Sequence, residues 1–370
     1  MGAAGYTGGE LIRLLLQHPQ VNLAYLHSRS HAGQPISKVH ADLLGDTNLF
    51  FTDAIDFLQS GKTDVLFLCL GHGESKEFLR QHPVHEKTRI IDLTTDHRLR
   101  SSSSVPPRTF VYGLPELNRD RILSATAVAN PGCFATTLQL GLLPLAASGL
   151  LKDVHATGIT GSTGAGQSLS ATNHFSGREN NIQAYKTLTH QHLEEIYESL
   201  HQVQPNYSSK VHFIPWRGNF TRGIFVSSQT QLALSLQECT ALYEKYYAGH
   251  PFTHVSAEPI YLKQVINTNK CLIQLEKVGD QLVIEANENA LKLASFHNGR
   301  RKIVAFNRSF HGRTSLAVAV TDNPNYRARV NETDQVIFLP LNDEQALEAC
   351  FEQQGPEISS VIVEGIQGVG

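Results

Sequence analysis

Three groups of residues have the types and the spacing to do chemistry. Cys133 stands in the run Asn130-Pro131-Gly132-Cys133-Phe134, after the apolar triplet Ala127-Val128-Ala129 and before a helical run at 138–143. A thiol at such a strand-to-helix junction faces the positive end of the helix, which favours thiolate and predicts a lowered pKa. The competing reading of a lone cysteine is a buried, inert one. His190 and His192 flank Gln191 and could give or take a proton, in a chain of 18 histidines. Two residues apart, they lie on opposite faces of a strand, or roughly 200° apart if a helix starts here, so only one can face a given cleft.

The third group is Gly2-Ala3-Ala4-Gly5-Tyr6-Thr7-Gly8, running into an apolar helix at 11–16. Glycines let a backbone approach a pyrophosphate, and the free N–H groups of a helix start hold it. Gly2, Gly5, Tyr6, Thr7 and Gly8 are therefore candidate cofactor contacts, an ordinary tight turn being the other reading. Roughly twenty residues on, an apolar run ends in His27-Ser28-Arg29-Ser30, where the second strand of a dinucleotide fold meets the adenosine ribose. No acid stands there to bond a 2′-hydroxyl. Ser28 and Arg29 suit the 2′-phosphate of NADP, unless Arg29 is simply a solvated loop charge.

These groups need a frame. At roughly 100 to 200 residues per domain, 370 residues make two or three. Apolar runs at 23–26, 65–70 and 90–93 alternate with a helical period at 10–16, the βαβ rhythm of a doubly wound parallel sheet. From about 157, strands at 210–214, 224–233, 271–275 and 281–284 surround helices near 192–201 and 236–247, which reads as a second, α+β domain. One element is short: a dinucleotide fold has a β-strand directly before its first glycine, and only Met1 precedes Gly2. With 41% hydrophobic and 18% charged residues the chain can bury a sizeable core. A net charge of −3 leaves no basic footprint for nucleic acid. No apolar run reaches membrane-spanning length, and the first residues lack a signal peptide's regions. Five scattered cysteines without a C-x-x-C pair indicate neither a disulfide framework nor a metal site. A cytoplasmic protein is expected.

With Ile91-Asp92-Leu93-Thr94-Thr95-Asp96-His97-Arg98-Leu99, Tyr112-Gly113-Leu114-Pro115-Glu116 and Arg222-Gly223-Ile224 added, the motifs stand in an order and spacing that resembles N-acetyl-γ-glutamyl-phosphate reductase, a family of arginine biosynthesis. The likeness runs from Gly2 to about Ile284. It implies an α/β fold: a Rossmann NADP domain at 1–133 and, at 134–284, a catalytic and dimerising α+β domain of the glyceraldehyde-3-phosphate and aspartate-semialdehyde dehydrogenase type. By position, Cys133 resembles the nucleophile and His192 the acid/base, with His190 the alternative. The thiolate would attack an acyl phosphate, phosphate would leave, and a nicotinamide hydride would reduce the thioester to the semialdehyde. Arg222 could clamp a substrate carboxylate or phosphate through its two-pronged fork, or form a surface ion pair. The small-residue run 161–166 matches a loop near the active site. Aspartate-semialdehyde dehydrogenase shares the chemistry, but Pro-Gly-Cys with Tyr-Gly-Leu-Pro-Glu upstream is the acetylglutamyl pattern.

Two departures shape the expectations. The first strand is the central one of such a sheet, so its loss would deprive the glycine loop of its anchor. After Glu285, the runs Ser309-Phe310-His311-Gly312-Arg313 and Val361-Ile362-Val363-Glu364-Gly365 resemble instead part of the large domain of acetylornithine aminotransferase. The resemblance lacks that family's Schiff-base lysine, so pyridoxal phosphate is not expected on the segment 285–370. Asn289–Ser295 should form a helix that covers the nucleotide domain, with Leu293 in place of a family glycine. The chain is thus read as a reductase, homo-oligomeric through its catalytic domain, or as a catalytically silent fusion that persists as a folded or dimerising module.

Overall fold

The computed structural model describes residues 1–16, 18, 20–167, 174–266, 268–288, 302–307, 322, 336–354 and 358–361. They divide into two compact units, one of residues 1–17 and 21–294 and one of residues 18–20 and 295–370.

The first unit opens with the glycine loop and helix α1 (Tyr6–Leu16), whose Gly8, Gly9, Leu11 and Ile12 are buried. Strand β1 (Val65–Leu68), helix α2 (Glu74–Gln81), β2 (Arg89–Asp92), the short pair β3 (Ser104–Val105) and β4 (Arg108–Thr109), β5 (Val111–Tyr112), helix α3 (Pro115–Ser124) and β6 (Ala127–Ala129) follow. Strands β1, β2, β6 and β5 make a parallel four-stranded sheet in that order. Leu66, Leu68, Ile90, Ala127 and Ala129 are its core, as expected where crossover elements cover a parallel sheet.

Two expectations change here. Residues 23–26 form no ladder; a single parallel bridge joins His27 to Thr52. A strand exists only by a neighbour bonded along its length, and here the bonding falls at the end of the run, where the Leu26 carbonyl accepts from Thr52 N–H at 3.0 Å. Yet the glycine loop keeps its anchor. The Met1 ammonium donates to the Phe67 carbonyl at 2.7 Å, the Cys69 N–H to the Met1 carbonyl at 3.0 Å, and the Ala3 N–H to the His27 carbonyl at 3.0 Å. Three residues thus bridge β1 and the 27–28 segment.

The second half of this unit begins with α4 (Cys133–Ala147), buried from Phe134 to Ala146, as a helix apolar on every side must be. After it come β7 (Val154–Thr160), α5 (Phe175–Arg178), β8 (Gln183–Ala184), α6 (His192–Val203), β9 (Val211–Arg217), β10 (Ile224–Gln231), α7 (Leu236–Tyr247), β11 (Thr253–Ser256), β12 (Cys271–Val278) and β13 (Gln281–Glu288). They form a seven-stranded sheet in the order β11-β12-β13-β10-β7-β9-β8. Its inner face packs Val154, Phe213, Val226, Ile273 and Ile284 against Leu138, Leu142 and Leu145 of α4. A Ser235–Glu238 capping box starts α7. Strand β13 does not stop at 284. Its ladder with β10 runs on to the pair Ile224–Glu288, so the first residues after 284 are built into the seven-stranded sheet.

In the second unit, β14 (Lys302–Phe306), β15 (Val336–Leu339), helix α8 (Glu344–Gln354) and β16 (Ile358–Val361) give a parallel three-stranded sheet in the order β15-β14-β16. The helix expected at 289–295, Leu293, Phe310, His311 and a strand expected at 316–320 lie outside the described residues. Among the described residues, no helix is long and apolar enough to cross a membrane and no cluster could hold a metal ion.

Candidate active site

The turn from β6 into α4 carries Cys133 as the first residue of the helix. Its start is held from β2, where the Asp92 carbonyl accepts from Asn130 N–H at 2.7 Å. Contrary to the expected lowering, the Cys133 thiol is pushed up to about 11. Burial is the main cause and the Glu288 carboxylate the next; the Phe134 N–H and Arg98 pull the other way without prevailing. A helix end offers only a partial charge, and desolvation of a thiolate outweighs it.

His192 begins α6, and its ring lies so close to Gly132 that a Cβ on that glycine would sit inside van der Waals contact with Nε2. His190 precedes the helix and packs edge-on against Phe134, Tyr185 and Phe213, each centroid 5.7 Å away. The two imidazoles meet at 4.5 Å, nearly perpendicular, and His190 Nδ1 accepts from the His192 N–H at 3.2 Å. Burial lowers both histidines, His190 to about 4. For His192, well below its usual value, the neighbouring charges of His190, Arg98, His72 and Lys186 add to burial. At neutral pH both rings are therefore uncharged, and an uncharged imidazole can accept a proton.

A carboxylate that the sequence reading gave no role sits behind this pair. Glu195 is 4% exposed. Its Oε2 accepts from the Gly132 N–H at 2.9 Å and the Tyr112 hydroxyl at 3.0 Å, its Oε1 from Arg98 at 3.1 Å. His192 Nε2 lies 4.0 Å from Oε1. The signal available was the i, i+3 spacing of His192 and Glu195 on a helix, which puts both on one face.

The cofactor candidates form one loop. Gly2 has φ +73, and a Cβ there would collide with the Cys69 carbonyl; one on Gly8 would collide with Gly2. Gly5 N–H closes the turn on the Gly2 carbonyl at 3.2 Å. Tyr6 and Thr7 form the first turn of α1, where free N–H groups point out. Such a bare, backbone-lined cradle fits a pyrophosphate. Ser28 is buried and heads the turn 29–31; Arg29 is exposed beside it. Ser30 Oγ and His31 Nδ1 share a hydrogen bond of 2.9 Å, which adds two polar groups at the same corner.

Arg222 is engaged elsewhere: its Nε reaches Glu10 Oε1 of α1 at 3.2 Å and its NH2 pairs with the same oxygen. The small-residue loop is tied to the Arg222 segment by Ser162 N–H to the Phe220 carbonyl at 2.9 Å and Thr163 N–H to the Thr221 carbonyl at 3.2 Å. Its end touches the glycine loop, Gln167 Nε2 donating to the Ala4 carbonyl at 3.4 Å.

Comparison with known proteins divides the chain into matched segments. Residues 1–125 match the semialdehyde dehydrogenase NAD binding domain, residues 133–289 the semialdehyde dehydrogenase dimerisation domain, and residues 249–370 the class-III aminotransferases. The last two overlap at 249–289, where β11, β12 and β13 belong to the seven-stranded sheet. Among solved structures, aspartate semialdehyde dehydrogenase II of Vibrio cholerae aligns with a TM-score of 0.58 at 12% identity, covering 79% of this chain and 92% of that one. The Francisella tularensis aspartate semialdehyde dehydrogenase gives 0.58 at 17%, covering 80% and 95%. These share the fold. The N-acetyl-gamma-glutamyl-phosphate reductases of Christiangramia forsetii and Parabacteroides distasonis are 49% and 51% identical over 297 residues, 80% of this chain and 90% of each relative. On that identity and coverage, the chain belongs to the N-acetyl-gamma-glutamyl-phosphate reductase family, an oxidoreductase family of the semialdehyde dehydrogenase fold, and carries an aminotransferase-like segment at its far end.

Proposed function

We propose that the chain reduces N-acetyl-γ-glutamyl phosphate to N-acetylglutamate semialdehyde, with NADPH oxidised to NADP, through a thioester on Cys133, as a step of arginine biosynthesis. The observation that carries this reading is the placement of Cys133 at a helix start, beside a glycine on which the uncharged ring of His192 rests. His192 takes the thiol proton, the sulfur attacks the acyl carbon, and phosphate departs with the bonding pair, leaving the acyl group on sulfur. The same histidine returns a proton when the carbon–sulfur bond breaks. Bound across Gly2, Gly5, Tyr6, Thr7 and Gly8, with its 2′-phosphate at Ser28 and Arg29, the coenzyme would supply the hydride. Arg222 is held in reserve by Glu10, from which a substrate anion could draw it. Residues 1–133 hold the coenzyme and end on the nucleophile Cys133, and the domain from 134, which pairs copies into an oligomer, supplies His192.

A second reading is a catalytically silent module. What favours it is the raised Cys133 thiol, held up in part by Glu288. One assay separates the two: NADP reduction by N-acetylglutamate semialdehyde with phosphate, run beside aspartate semialdehyde. Phosphate-dependent turnover of the acetylated substrate supports the reductase; turnover of neither supports the silent module; preference for aspartate semialdehyde overturns the substrate assignment.

A further inference from the structure

We infer that Glu195 is the positioning residue of this site, tying the Cys133 turn, the Tyr112 strand and the His192 helix into one buried unit through which His192 acts on Cys133. The inference rests on the reading of Cys133 and His192 above.

Each hydrogen bond to Glu195 comes from a donor of the surrounding elements. Gly132 N–H and Tyr112 O–H point at Oε2, and Arg98 points at Oε1. Each donor is itself fixed. Arg98 also donates to the Asn130 carbonyl at 2.9 Å and the Leu93 carbonyl at 3.3 Å, which clamps both ends of the loop around it. The Tyr112 hydroxyl accepts from Gln139 of α4 at 2.7 Å. One carboxylate therefore gathers the loop after β2, strand β5, the turn into α4 and helix α6, and it does so next to Gly132, the residue on which His192 rests.

The distribution of bonds shows what the carboxylate is for. A charged pair with Arg98 alone would need one oxygen. The second oxygen grips the backbone immediately before Cys133, one of the N–H groups that a helix leaves unsatisfied at its start. With Glu195 on the same helical face as His192, movement of α6 carries the imidazole and the cysteine turn together. The spacing of base and nucleophile is thereby kept constant. A buried charge with this many donors is costly to break, because a removed acceptor leaves several of them unpaired.

Glu195→Gln keeps the volume but turns two acceptor positions into amide hydrogens, which must face donors on one side or the other. The test measures the rate at which iodoacetamide alkylates Cys133, followed by mass spectrometry of the peptide, in the unaltered chain, His192→Asn, Glu195→Gln and the double variant. This readout needs no turnover. Thermal melting of each variant reports folding, and Glu195→Asp, which keeps the charge but withdraws it by one methylene, replaces Gln if that chain does not fold. If Glu195 acts through His192, each single variant changes the rate by about threefold or more, and the double variant matches His192→Asn within about twofold, the non-additivity of coupled residues. Rates in Glu195→Gln equal to the unaltered chain, or effects that multiply in the double variant, overturn the positioning role. If His192→Asn itself leaves the rate unchanged, the acid/base reading of His192 fails instead.

Discussion

The imidazole of His192 rests on the backbone of Gly132, with no room for a Cβ between them. Gly132 has φ −67 and ψ 149, a conformation open to any residue. The glycine is there for space, and its partner is the histidine.

Gly132→Ala should therefore destabilise the chain by about 1–3 kcal/mol, the usual cost of overpacking, and suppress turnover by displacing His192. Because the strain is steric and local, Gly132→Ala combined with His192→Ala should recover most of the stability and none of the activity. Urea titration of the four chains checks this. An alanine at 132 that costs the same with or without the imidazole would mean that His192 is not what the glycine accommodates.

The state of the Cys133 thiol gives a pH prediction. Only the thiolate is alkylated, and with the thiol pushed up to about 11 the alkylation rate should climb tenfold per pH unit through neutrality and level off only near that value. Glu288→Gln removes the carboxylate that helps to raise it, so alkylation at pH 8 should accelerate several-fold. A rate already level at pH 8 in the unaltered chain would show a depressed thiol and contradict the burial argument.

His190 ties stability to pH. Its folded pKa is lowered to about 4 by burial, below about 6.5 for an exposed histidine. Above pH 6.5 the ring is neutral in both states and its packing is retained. As pH falls, the unfolded chain takes the proton first. Stability is lost between about 6.5 and 4, by up to about 3 kcal/mol from this residue, and changes no further below that. His190→Phe should flatten this part of the stability profile, measured by denaturant unfolding from pH 7.5 to 4; a slope that persists unchanged would assign the effect elsewhere.

The Glu10–Arg222 pair separates the two readings of Arg222. Both side chains are partly exposed, at 23% and 34%, so the pair contributes at most about 1 kcal/mol. Glu10→Gln should leave stability nearly unchanged, while Arg222→Ala should raise KM for the anionic substrate about tenfold through the lost two-pronged contact. Equal kinetic effects from both variants would make Arg222 a mere tether between α1 and the 218–223 loop.

What could be read from the sequence, and what could not, follows from the range of the interactions. The apolar periods gave β9, β10, β12, α6 and α7 to within a few residues, because alternation and helical spacing are local. The strand expected at 23–26 does not form because a strand exists only by its neighbour, and which segment lies alongside is not a local property of the run. The thiol's direction was wrong for a similar reason: the helix end is visible in Pro131-Gly132-Cys133, whereas burial and Glu288 come from elements far along the chain. Glu195 was hidden because its partners lie 63, 83 and 97 residues away, although its spacing from His192 was in plain view.

The segment beyond β13 should behave as a separate, weaker body. Among the described residues of the second unit, the buried apolar side chains are Ala305, Phe306 and Cys350, with Ile337, Leu339 and Leu347 packed around Cys350. The seven-stranded sheet assembles more than a dozen fully or nearly buried side chains about α4. Since local stability follows buried apolar contact, opening of the second unit should be far more frequent, and protease should cut there first. The ladder from β10 through β13 to Glu288 protects residues up to that point, so limited trypsin digestion is expected to leave a resistant core ending near residue 300. No absorbance band of lysine-bound pyridoxal phosphate should appear when the chain is incubated with that cofactor, and the core should keep the alkylation profile of Cys133. A tail that survives protease together with the body, or that acquires the aldimine band, would show that the segment is an integrated, cofactor-binding part of the protein.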